Sequence, residues 1–451
     1  MAKAGETYTL SVRDKRHKAG DLFHYRVEVE RSKPNVAVFL PRREKLSQAR
    51  QAIEIPAGNR SLALFGVRKD QCNVPLDLRI DDLNPGVQYV ASVEQSQSFL
   101  RPVVFQANAS ATASGALVSV GCYSGENQSP NSSHDSKAVP VGQFQQVVDL
   151  IAGPADSVFH VATVDRLAVA VTATVPYSIE IEQPTVPLAI DGTLELKIRA
   201  DRRPGFDAPL DVTVPFLPEG IEVPEKVKIP SNENSCILVI RALPGTSPVN
   251  WPMIAEASVG IGESKTSPLS FPVVCSSLRN LDIVSSPVQG TIGEIATEQG
   301  STIQVPCNLE LGSKVPARLM AVLEGLPNRI VAEPMTIDSS VTSVQFVVHV
   351  NKDAPLRNFP NLVCRLTGEL DGQQLSYCVA RNTKLVVVPR GASQKDESGR
   401  SLSPLRLQSP KKAWCKLLDR AHRSSWLDSI NLPRAHRLSF DPKAILNVRP
   451  K

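Results

Sequence analysis

Aromatic side chains are scarce, with 3 Trp, 6 Tyr and 13 Phe in 451 residues. Stacking platforms for sugars or bases are therefore few, which counts against a glycan or single-strand surface built on aromatic faces. No run of 18 apolar residues occurs, so no transmembrane helix is expected. The opening stretch "MAKAGETYTLSVRDKRHKAG" has no apolar core, so it predicts no signal peptide. The eight cysteines are too few for a disulfide scaffold and none is spaced C-x-x-C, which removes the zinc and thioredoxin-like signatures. G-x-S-x-G, H-E-x-x-H and the phosphate-cradling G-x-x-x-x-G-K are all missing; "SVGIGESK" has the wrong spacing for the last. Glycine, at 25, is outnumbered by proline, at 36. Proline is excluded from helix interiors and central strands, so its abundance beside Val, Ile and Thr predicts short strands joined by stiff turns.

The formal net charge of +5 is unevenly placed. Residues 390–451 hold 14 basic and 5 acidic groups, a net of +9, while residues 1–389 hold 36 and 40, a net of −4. The basic character belongs to the tail, so the overall charge is no argument for nucleic-acid binding, and none is expected.

A threefold internal repeat organises the remainder. Its copies read "AGNRSLALFGVRKDQCNVPLDLRIDDLNPGVQYV" from Ala57, "DGTLELKIRADRRPGFDAPLDVTVPFLPEGIEV" from Asp191 and "QGSTIQVPCNLELGSKVPARLMAVLEGLPNRIVA" from Gln299. Each opens with Gly (Gly58, Gly192, Gly300) and an alternating strand. A Pro then heads a second strand, at Pro75, Pro209 and Pro316, offset from the Gly by 17, 17 and 16 residues. Each closes on a Leu-(x)-Pro turn whose Leu (Leu83, Leu217, Leu326) follows the Gly by 25, 25 and 26 residues. Leu194, Leu196 and Ile198 alternate with Glu195, Lys197 and Arg199, the period-two mark of a strand with one buried face. Further strands are predicted in "KVKIP", "SCILVIRA", "TSVQFVVHV" and "TKLVVVPR", the last as the final core strand. Copies two and three are 108 residues apart, and about 100 residues is the size of an immunoglobulin-like sandwich. The Leu-Pro turn is expected at a sandwich corner with Leu217 buried, so that Leu217→Asp would harm stability more than Glu219→Lys.

The fold class expected is all-β, with tandem Ig-like β-sandwich domains and a disordered basic C-terminal tail. The domains are read as a sandwich over 1–112, a β-rich insertion with a polar loop over 113–176, sandwiches over 177–281 and 282–389, and the tail over 390–451. The insertion contains the loop-like "GENQSPNSSHDSK", then "FQQVVDLIAG", read as an edge strand rather than a short helix. "FHYRVEVE" near the N-terminus is another alternating strand. In the tail, "KKAWCKLLDRAHRSSWLDSI" has Trp414, Leu417, Leu418 and Ala421 at helical spacing, one marginal helix at most.

Candidate chemistry is sparse. His17, His24, His134, His160, His349, His422 and His436 share no metal-ligand spacing, and a strand face accounts for His349. Asp81 and Asp82 are carboxylates at a turn without the ligand ladder of a calcium loop. Arg199, Arg202 and Arg203 are readable as an anion or glycan contact and, more simply, as solvated charge. Cys307, Cys364 and Cys378 fall in one domain, where a bridge in an oxidising compartment and buried free thiols are both open. No catalytic, cofactor-binding or metal-ligating residue is assigned, and no cofactor.

The stretch "VDRLAVAVTATVPYSIEIEQPTVPLAIDGTLELKIRADRRPGFDAPLDVTVPFLPEGIEV", best in "RRPGF", "PLDV" and "LPEGI", resembles the repeated C-terminal β region of large secreted planctomycete-type bacterial proteins. These carry bacterial pre-peptidase C-terminal (PPC) domains with Ig-like modules, and some are labelled subtilase-family serine proteinases. The resemblance covers roughly 23–389. It implies β-sandwiches without catalysis of their own and an extracellular, periplasmic or cell-surface setting. The opening residues, lacking a signal peptide, point instead to a cytoplasmic product or a fragment of a longer reading frame. The function expected is a non-enzymatic spacer, adhesion or binding module, or an appendage of a peptidase, whose partner is a protein or glycan at the cell surface. The alternatives are a fragment or member of the subtilase-type family, testable by casein hydrolysis, and a carbohydrate-binding module, testable on a glycan array.

Overall fold

The computed structural model describes residues 35–41, 51–70, 72–124, 140–152, 158–259 and 271–391. The expected strand "FHYRVEVE" and almost all of the basic tail, including the stretch expected to form one marginal helix, lie outside the described residues. Every regular element among them is a β-strand.

The first sandwich contains β1 (Asn35–Phe39), β2 (Ile53–Pro56), β3 (Arg60–Asp70), β4 (Leu76–Asp81), β5 (Val87–Ala91), β6 (Leu100–Ala107) and β7 (Ser114–Ser124). It continues with β8 (Gly142–Phe144), β9 (Gln146–Ala152), β10 (Val158–Val164) and β11 (Leu167–Thr172). One sheet runs β1-β3-β6-β5, the other β2-β11-β7-β4, and β8 bridges β1 to β7. The pairing of β7 with β4 and of β11 with β2 differs from a division at 112/113. Two of the strands after residue 112, β7 and β11, complete the first sandwich, because its inward faces (Leu78 and Ile80 on β4, Val118 and Val120 on β7, Val169 and Val171 on β11) bury one another. Among the described residues, the strands outside these sheets are β9 and β10, between β8 and β11.

The second sandwich comprises β12 (Tyr177–Ile181), β13 (Leu188–Ala189), β14 (Gly192–Arg202), β15 (Leu210–Thr213), β16 (Ile221–Glu222) and β17 (Val227–Ile229). Then come β18 (Ser235–Ala242), β19 (Val249–Met253), β20 (Glu256–Val259), β21 (Val274–Cys275) and β22 (Arg279–Val284). One sheet is β12-β14-β18-β16. The facing layer is β17-β15-β20-β21, continued by β19-β22-β13. The third sandwich has β23 (Val288–Ile292), β24 (Ile295–Glu298), β25 (Thr302–Leu311), β26 (Arg318–Glu324), β27 (Ile330–Ala332), β28 (Met335–Asp338), β29 (Ser343–Val350), β30 (Asn358–Leu370) and β31 (Gln373–Val388). Its sheets are β23-β25-β29-β27 and β24-β31-β30-β26-β28.

All three share one plan. The first strand splits, its first part joining one sheet and its second part crossing to pair in parallel with the last strand: β2 with β11, β13 with β22 and β24 with β31. The chain is a tandem of Ig-like sandwiches.

The repeat's landmarks fall at turns. Gly58 and Gly300 adopt φ of 76° and 74° ahead of their strands, whereas in copy two Asp191 takes the positive φ, 62°, and Gly192 is extended. The Leu-Pro corners close with Val87 N–H to Asn84 O (3.0 Å), Ile221 N–H to Pro218 O (3.3 Å) and Ile330 N–H to Pro327 O (3.1 Å). The residue before each of these donors is left-handed: Gly86 (81°), Gly220 (82°) and Arg329 (72°). Arg329 thus carries a Cβ where the other copies need none. Arg329→Gly is expected to raise stability by up to about 1 kcal/mol in urea unfolding, since relief of the left-handed penalty outweighs glycine's extra unfolded-state entropy. Its exposed pairing with Asp353 (3.5 Å) contributes little. A variant less stable than the parent would show that this ion pair outweighs the backbone term.

Leu217 departs from its expected burial. Leu210, Val212, Val214 and Phe216 continue one period-two face into the core, so parity leaves Leu217 half-buried, as Leu83 and Leu326 are. The corner residue that fills the interior is Phe216, stacked on Trp251 at 4.6 Å with the planes 26° apart.

Candidate interaction surface

The sandwiches are joined by two built interfaces. Between the first and second, Leu62 and Val104 on the outer face of β3-β6 pack on Ile254 and Cys275. Asn59 Nδ2 donates to Tyr177 O at 2.7 Å. Glu180 pairs with Arg60 across the joint and also accepts from Ser277 Oγ (2.6 Å) and Ser277 N–H (3.2 Å). At the same joint, burial pushes the Tyr177 hydroxyl up to about 12.

Between the second and third, β14 continues directly into the sheet of its neighbour, with Gly192, Thr193 and Leu194 opposite Tyr377, Ser376 and Leu375 of β31. Thr193 Oγ1 and Ser376 Oγ are 2.7 Å apart. Cys378 N–H donates to Asp191 O at 2.9 Å, and Arg381 clasps the Asp191 carboxylate. Arg365 reaches Ser376 Oγ at 3.2 Å while holding Glu324 at 2.6 and 2.9 Å. The two sandwiches share one buried core running from Val175 to Val387.

The candidate polar residues have structural partners. Arg199 pairs with Glu182. Arg202 donates to the Ala208 and Pro230 carbonyls and lies over the Phe206 ring at 5.8 Å, and burial lowers its pKa from the usual value. Arg203 donates to Thr174 Oγ1 at 3.1 Å. The three guanidiniums therefore point to separate partners and form no anion cluster. Asp82, at φ 64°, binds Arg166 at 2.8 Å, a cation where a calcium loop would offer oxygens. His349 is exposed on β29 with Nδ1 3.0 Å from Thr302 Oγ1, and His160 is exposed on β10. The other five histidines lie outside the described residues. Among the described residues no three His, Cys, Asp or Glu side chains gather as metal ligands, and no helix is long and apolar enough to cross a membrane.

The edge strand expected in "FQQVVDLIAG" is β9; what sequence reasoning missed is its partner β10, with which it forms a separate two-stranded ribbon between β8 and β11 of the first sandwich. Among the described residues the ribbon's strands pair with each other and with no other strand, with a register shift near Phe159. Its outer half exposes Leu150 (56%), Ile151 (55%) and Phe159 (68%), with Val161 and Val164 behind them. A two-stranded ribbon is marginal in water by itself, and the apolar side chains at its outer end face solvent. The sequence signal was present in "VVDLIA" and "VFHVATV", two apolar runs flanking Gly-Pro, where apolar residues occupy both parities instead of one.

No family model matches the chain, and no curated protein does. Solved structures similar to it include the I9–I11 tandem of titin, at 9% identity over 75% of this chain and 96% of that one, with a TM-score of 0.19. Fibronectin(III)-like modules of Clostridium thermocellum CbhA match at 8% identity over 47% and 94%, TM-score 0.16. The third ScaB cohesin of R. flavefaciens, in complex with a group 1 dockerin, matches at 17% identity over 23% and 96%, TM-score 0.17. At such scores the fold rests on the strand pairings above.

Proposed function

We propose that this chain is a non-catalytic spacer and binding module of a bacterial surface or secreted assembly, working outside the cytoplasm and bearing its contact element on the first sandwich. The observation that carries this reading is the direct pairing of β14 with β31. A sheet that runs from one repeat into the next resists bending at the joint, which is what a spacer needs and a flexible linker lacks. The PPC-type resemblance supports the setting. The apolar end of β9-β10 supports contact with a protein partner on the envelope, because side chains such as Leu150, Ile151 and Phe159, exposed together, gain most by burial against another protein.

The test is sedimentation of the purified chain with cell envelopes of the producing bacterium. The parent chain is expected to sediment. A Leu150→Ser, Ile151→Ser, Phe159→Ser variant is expected to stay in the supernatant while keeping its melting temperature, since exposed substitutions change stability little. Equal sedimentation of both, or of neither, would refute the contact role. Hydrolysis of casein blocked by a serine-directed inhibitor would replace the reading with the peptidase alternative.

A further inference from the structure

The third sandwich holds two thiols that face each other across its layers. Cys307 lies on β25 in one sheet and Cys364 on β30 in the other. Both are fully buried, at 0% exposure, in the same apolar core. Strand alternation fixes their direction. On β25 the inward set is Val305, Cys307 and Leu309; on β30 it is Leu362, Cys364 and Leu366. The two thiols engage each other directly, and this contact, followed by burial, pushes the Cys364 thiol far above its ordinary range.

The same alternation excludes the third cysteine of the domain. Cys378 sits opposite Arg365 on the neighbouring strand, whereas Cys364 sits opposite Val379. Cys378 therefore shares the outward face of Arg365, half-buried against the joint with the second sandwich. A bridge from it to Cys307 would have to pass through the sheet. Among the described residues, no two cysteines of the other repeats hold such facing inward strand positions. In the first sandwich Phe65, seven residues after Gly58 as Cys307 is after Gly300, fills the inward position on β3, and Cys122 on β7 has no cysteine there to face.

We propose that Cys307 and Cys364 form an inter-sheet disulfide in an oxidising compartment, clamping the two layers of the third sandwich. The oxidant is a small-molecule disulfide such as oxidised glutathione. The thiolate of one cysteine attacks it, forming a mixed disulfide and releasing one glutathione thiolate. The thiolate of the second cysteine then displaces the other glutathione, closing the Cys307–Cys364 bond. In sum two thiols are oxidised, one external disulfide is reduced to two thiols, and the two cysteine protons pass to the departing thiolates. Because both sulfurs are buried, the bond forms as the sandwich assembles, before the layers close. The bridge spans a long loop, and closing such a loop in the unfolded chain gives the larger stabilisations seen for cross-links. The inference is independent of the proposed binding role.

The experiment unfolds and refolds the full chain in a mixture of reduced and oxidised glutathione, then counts thiols in denaturant and maps the peptides without reduction. Six free thiols of eight and a peptide joining Cys307 to Cys364 are expected. Dithiothreitol is expected to lower the melting temperature by on the order of 10 °C. Cys378→Ser should retain both the peptide and the shift, and Cys364→Ala should lose both. The shift within the parent chain is read on one sequence, so poor folding of a variant leaves the thiol count and the peptide map as decisive readouts. Eight free thiols after oxidative refolding, a bridge involving Cys378, or a melting temperature indifferent to dithiothreitol would overturn the proposal.

Discussion

Trp251→Ala should destabilise the second sandwich by about 3–5 kcal/mol, the usual cost of emptying a large aromatic site in a packed core. Trp251 is only 1% exposed on β19. Its ring stacks on Phe216, and its Nε1 donates to Phe216 O at 3.3 Å, tying β19 to the residue that leads into the Leu217-Pro218 corner. Truncation removes the stack, leaves a cavity and strips a buried carbonyl of its donor. Glu219→Lys, on the exposed side of the same corner, should stay within about 0.5 kcal/mol. Leu217→Asp should fall between them, because its side chain is half-buried. Thermal unfolding followed by far-ultraviolet circular dichroism ranks the three. A melting temperature for Trp251→Ala equal to that of Glu219→Lys would show that the corner does not anchor the sandwich.

Gly192→Ala is the second large effect expected, and it acts on the joint. A Cβ at Gly192 would lie 2.3 Å from Ser376 O and 3.0 Å from Ala189 O, both backbone atoms with no flexible end to move aside. Either β31 withdraws, breaking the ladder between sandwiches, or β14 distorts. Overpacking of this kind costs about 1–3 kcal/mol. Calorimetry should show a single transition for the second and third sandwiches in the parent chain, divided into two in the variant. Gly245→Ala separates the causes. Gly245 has φ 86° and open space around it, so alanine there pays about 1–2 kcal/mol of left-handed strain and meets nothing. It should lower the melting temperature without dividing the transition. If Gly192→Ala leaves one undivided transition, the paired strands do not couple the sandwiches.

The conserved spacing of glycine within the repeat hides this difference. Gly58 and Gly300 are needed for a backbone angle, while Gly192 is needed for room beside a neighbouring domain. The same letter at the same offset answers two physical demands, and only the partner strand tells them apart.

The sequence by itself determined the all-β class, the threefold repeat, the strands "SCILVIRA" and "TKLVVVPR", and the turn at each Leu-Pro. These depend on side-chain parity, proline's fixed φ and the left-handed turn, all local along the chain. The same parity, carried past Pro215, would have placed Phe216 inside and Leu217 half outside. What only the tertiary structure decided depends on residues far apart in sequence. β7 and β11 belong to the first sandwich because their apolar faces meet β4 and β2, which no linear boundary reveals. β14 joins β31 across about 180 residues because Gly192 leaves room for a backbone carbonyl. Cys307 faces Cys364 and not Cys378 because the pairing register of β30 with β31 turns one thiol inward and the other out. Register between distant strands is set by which faces bury each other, and that is a property of the folded chain.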